Sequence, residues 1–188
     1  MSYFGYKQYK DAALKHLKSC QEIIKYFNCQ YNCISPGTEK ELLINVFYLS
    51  GYTMECIINY AIFSKIYTST KSLSKSDNVY RIFDPTNKFS FYSKYNDNNG
   101  VTCTANYYVS GHNFMKNITL LKKLTPGGNI PLVHDPKIVP SSVSTLIRKW
   151  DVKIRYETNI NPPINKTDIA SLVEFTEKFY NEVIKVVR

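Results

Sequence analysis

Between positions 9 and 27, Ala13, Leu17, Cys20, Ile24 and Phe27 return every three or four residues, while Lys10, Lys15, Lys18, Glu22 and Lys25 fall on other faces. That spacing predicts an amphipathic helix with one buried stripe. A second helix is predicted from about Thr38, a suitable N-cap followed by Glu39 and Glu41, to about Tyr67. Its middle is apolar on nearly every side, the pattern of a rod surrounded by other helices. Helical spacing returns at Phe114, Ile118, Leu121 and Leu124, and again at Val143, Leu146, Ile147, Trp150 and Ile154 in a helix over about 141–156. The clearest stripe is the last: Ile169, Leu172, Val173, Thr176, Phe179, Tyr180, Val183 and Val187, opposite Glu174, Lys178, Glu182 and Lys185. Pro36 and Gly37, the segment TPGGNIP, and Asn161 with Pro162 and Pro163 break the chain between helices.

The stretch 68–110 has a different character. TSTKSLSKSDN is polar and loop-like, and KFSFYSKY and VTCTANYYV are β-prone runs separated by the turn-favouring NDNNG. The pattern as a whole predicts an all-α fold: one domain over 1–188, an antiparallel bundle of about five helices with a β-hairpin-like insertion at about 68–110.

Composition narrows this picture. With 44% hydrophobic and 21% charged residues among 188, the chain belongs with globular proteins, not disordered ones. Its 24 Lys and Arg against 15 Asp and Glu give a net charge of +9, which favours an anionic partner. Five cysteines, an odd number, follow an N-terminus without an apolar signal region, so reduced thiols in a cytoplasmic protein are expected. Cys29 and Cys33 lack the further ligands that a zinc site needs. The apolar run 42–63 is long enough for a bilayer. It contains Asn45, Ser50, Gly51, Thr53, Glu55 and Asn59 and has no flanking basic clusters, so a buried helix is expected and no membrane.

Five stretches in order, DAALKHL, LSGYTMECIINYAIF, GHNFMKNI, WDVKIRYE and the final amphipathic helix, resemble the HEPN family of small helical domains. The resemblance covers about two thirds of the chain and leaves 68–110 aside. It implies nucleotide or RNA binding, a homodimer, and a partner such as an antitoxin or nucleotidyltransferase in a toxin–antitoxin or defence system. Ribonucleases of the family carry an Arg followed four to six residues later by a His. None of Arg81, Arg148, Arg155 and Arg188 has such a histidine, so the sequence departs from that pattern.

Glu55 is a carboxylate inside the apolar middle of the second helix, where an unpartnered charge costs several kcal/mol. The expected partner is Arg155, with His112 and Tyr156 close by, in a cleft between the second, third and fourth helices. Two readings stay open: a binding cluster, or an ion pair that fixes helix register. His112 either binds phosphate or moves protons at a helix start, or packs the start of that helix. Arg148, Asp151 and Arg155 form either a phosphate-binding strip on one helical face or a solvated ladder. The aromatic and basic residues of the insertion either stack bases or pack inward. His16 is expected in the core. No Gly-rich phosphate loop, paired catalytic carboxylates or nucleophile elbow occurs, and no cofactor or metal is expected. The alternatives to a binding protein are a metal-independent ribonuclease using His112 and Arg155, or a non-catalytic interaction module.

Overall fold

The computed structural model describes residues 6–29, 34–69, 88–96, 102–110, 112–125, 127–128, 130, 139–160 and 163–187. Five α-helices appear among them: α1 (Tyr6–Cys29), α2 (Pro36–Ser69), α3 (Phe114–Leu124), α4 (Ser141–Lys149) and α5 (Lys166–Val187). Two strands, β1 (Lys88–Asn96) and β2 (Thr102–Ser110), pair antiparallel from Lys88 opposite Ser110 to Asn96 opposite Thr102. Residues 70–87, 97–101 and 131–138, the last including His134, lie outside the described residues, as do Cys33 and Gly111.

The architecture is a helical bundle around α2. This helix packs against α1, α3, α5 and a short 3-10 turn, Val152–Tyr156. Its residues Met54, Cys56, Ile57, Ile58, Ala61 and Ile62 are all essentially inaccessible, and successive residues of one helix can be buried together only where neighbours cover every side. α1 contributes Ala13, Leu17, Cys20 and Phe27 to the core, and α5 contributes Ile169, Leu172, Val173, Phe175, Phe179 and Val183. The stripes read from the sequence for α1 and α5 therefore lie largely on the packed faces. No helix among the described residues is long and apolar enough to cross a membrane.

Two boundaries differ from expectation. α2 begins at Pro36, with Ser35 as its cap: the Ser35 hydroxyl accepts from Thr38 N at 3.3 Å, and Glu39 N donates to the Ser35 carbonyl at 2.9 Å. A proline at the first helical position gives up an N–H that has no helical partner anyway, so Pro36 starts this helix and does not only break the one before it.

The fourth helix stops at Lys149 and does not run on to 156. Trp150 turns extended, and Asp151 then caps the 3-10 turn by accepting from Lys153 N at 2.8 Å. Arg148, Asp151 and Arg155 consequently do not share the face of one continuous helix.

The cause of that break lies across the bundle. The buried Trp150 indole rests on α2 where Gly51 presents no side chain, and its Nε1 donates to the Tyr48 carbonyl at 3.0 Å. A helix continuing through 150 would give up this anchor.

Candidate functional site

Tyr48, Gly51, Tyr52, Glu55 and Asn59 recur at three and four residues along α2, so they form one side of that helix. This side carries the buried Glu55 and Asn59. Glu55 is only 5% exposed. His112, which stands just before the α3 cap Asn113, brings its Nδ1 to 3.2 Å and 3.4 Å from the two Glu55 carboxylate oxygens. The imidazole side chain is 53% exposed, so the pair connects the interior with solvent. One turn further along, Asn117 Nδ2 donates to Asn59 Oδ1 at 3.2 Å, with both residues buried.

Burial pushes the Glu55 carboxyl up to about 7, opposed first by the nearby positive charge available on His112 and then by their hydrogen bond. A carboxylate can only accept, so with Glu55 ionised the Nδ1 of His112 donates. No other described residue bonds to Nε2. While Glu55 is ionised, that arrangement keeps the proton on Nδ1 and leaves Nε2 as the accepting nitrogen, the preparation an acid–base histidine needs.

Three further groups feel this carboxylate. Burial, then the charges of Cys56 and Glu55, raises the Tyr9 phenol and raises that of Tyr52 to about 12. The Cys56 thiol is pushed up to about 12 by burial and by Glu55. Both phenols and the thiol therefore stay protonated at neutral pH. A row of rings flanks the site: His16 meets Tyr52 at 5.1 Å, Tyr52 stacks on Tyr48 at 5.8 Å, and Tyr48 on Trp150 at 6.4 Å. His16 is half-buried in this row, and burial lowers its pKa, with Lys15 adding to the effect.

The residues singled out in the sequence separate into two groups. Glu55 and His112 are brought together. Arg155 is exposed and lies with its guanidinium 4.6 Å from the Tyr156 ring, itself 74% exposed, so the expected Glu55–Arg155 pair is replaced by Glu55–His112. The physical reason is the break at Trp150: the 3-10 turn buries Ile154 and leaves Arg155 and Tyr156 outward. Arg148 and Asp151 are also exposed. Tyr9, Tyr52, Asn59 and Asn117 were missed by the sequence reading. The spacing of Tyr52, Glu55 and Asn59 was a usable signal for two of them.

A separate cleft of about 230 Å3 between α4 and the start of α5 is lined by Ser141, Thr145, Lys149, Ile160, Ile164 and Asp168. No group of three or more His, Cys, Asp or Glu side chains placed to hold a metal ion occurs among the described residues. Set against known proteins, the chain matches no family model, no curated protein and no solved structure.

Proposed function

We propose that this chain is a HEPN-like nucleotide- or RNA-binding protein, acting as a homodimer with a partner in a toxin–antitoxin, defence or nucleotidyltransferase-associated system. The observation that carries the site is the buried Glu55 carboxylate held against the half-exposed His112 imidazole. A structural ion pair needs no such access to solvent, whereas a group that meets a ligand does. The net charge of +9 and the order of the family-like stretches support the anionic ligand class.

The test is retention of labelled RNA and of nucleoside triphosphates by the purified full chain, over a range of salt. Binding that weakens steeply with salt and falls on His112→Ala supports the reading. No retention of either ligand at low salt leaves a protein-interaction module in its place.

A second reading, a metal-independent ribonuclease, is favoured by the oriented Nε2 of His112. In that reaction Nε2 takes the proton of a ribose 2′-hydroxyl, the 2′-oxygen bonds to phosphorus, and the bond from phosphorus to the 5′-oxygen breaks. The leaving oxygen takes a proton from water, and the hydroxide so formed takes back the proton held on Nε2, giving a 2′,3′-cyclic phosphate and a 5′-hydroxyl end. Arg155, expected to hold the phosphate, lies over Tyr156 and not at the Glu55 carboxylate. Cleavage in chelator that is lost on His112→Ala separates this reading from binding alone.

A further inference from the structure

His112, Lys116, Thr119 and Lys123 are all exposed and follow one another at four, three and four residues. Lys116, Thr119 and Lys123 make a single outward stripe along α3, whose other side buries Asn117, Ile118 and Leu121, and His112 stands just before the first turn of that helix. The stripe is unusual in its surroundings. From Asn98 to His134 the chain contains no Asp or Glu, and among the described residues neither Lys116 nor Lys123 is paired with an acid. The other basic segment, around Arg148, Lys149, Lys153 and Arg155, is interrupted by Asp151 and followed by Glu157.

We propose that the Lys116–Thr119–Lys123 stripe is a phosphate-tracking face that runs a single strand of RNA toward His112. The inference rests on the RNA-binding reading and gives it a location. Lys116 and Lys123 are seven residues apart, roughly 10 Å along the helix, so they engage different phosphates of one strand. A single row on an 11-residue helix suits one backbone and not the two of a duplex. The imidazole held by Glu55 near the start of the row is the group to meet a 2′-hydroxyl, by which a site tells RNA from DNA.

Fluorescence anisotropy of a labelled 20-nucleotide oligouridine, titrated with the full chain over increasing salt, tests this. Both lysines are exposed, so Lys116→Gln with Lys123→Gln preserves the fold, as helical circular dichroism verifies. The double variant is expected to make the log–log salt dependence shallower by about 1.4, from about 0.7 per lost phosphate contact on a single strand. Lys15→Gln with Lys18→Gln on α1 is expected to leave it unchanged. An unchanged slope in the α3 variant, with wild-type binding intact, overturns the stripe and spares the RNA-binding reading. Equal affinity and slope for oligodeoxyuridine overturn the assignment to RNA. Absence of oligouridine binding by the wild type at low salt overturns both.

Discussion

A Cβ placed on Gly51 would lie 2.1 Å from Trp150 Nε1, so the indole occupies space that any other residue at position 51 would claim. This contact ties the residue that follows α4 to α2 and ends α4 where it does. It also sets where the chain leaves toward Arg155 and Tyr156.

Gly51→Ala is therefore expected to destabilise the fold by about 1–3 kcal/mol, typical of overpacking, even though alanine by itself favours a helix by about 1 kcal/mol. Urea unfolding measures the cost. In a Trp150→Ala background the same substitution should become neutral or stabilising, because the clash has gone. Equal costs in the two backgrounds would show that the indole does not sit on Gly51.

Glu55 gives the stability a defined pH dependence. Its carboxyl is raised by burial from the ordinary 4.5 to about 7, so the folded protein holds that proton more tightly than the unfolded chain does. The resulting stabilisation is fully present below pH 4.5 and is lost as pH rises through about 7. Glu55→Gln should flatten this decline and leave the variant more stable at pH 8, by on the order of 3 kcal/mol at most. Denaturation midpoints at pH 4.5, 6 and 8 measure it, and parallel profiles for variant and wild type would contradict the assignment.

The cysteines should divide by burial. Cys20 and Cys56 are buried, with thiols pushed up to about 11 and about 12, while Cys29 is exposed. Iodoacetamide at pH 8, followed by mass mapping, should modify Cys29 rapidly and reach Cys20 and Cys56 only as the protein opens. Modification of Cys56 as fast as Cys29 would mean that the α2 core is accessible.

Much of this bundle was legible in the chain because amphipathic spacing is a local property. Ala13, Leu17, Cys20 and Phe27, or Ile169, Leu172 and Phe179, face the core because the helix repeat leaves them on one side. The apolar middle of α2 likewise announced a central rod, and its carboxylate announced a polar partner. Which partner it was could not be read there. Glu55 and His112 are 57 positions apart, and their meeting depends on how α3 lies against α2. The apolar stripe through Trp150 and Ile154 looked like one helix, because periodicity does not register an indole that bonds across to the Tyr48 carbonyl. Local spacing decides which faces are buried; only the packing of distant segments decides which buried charge meets which donor.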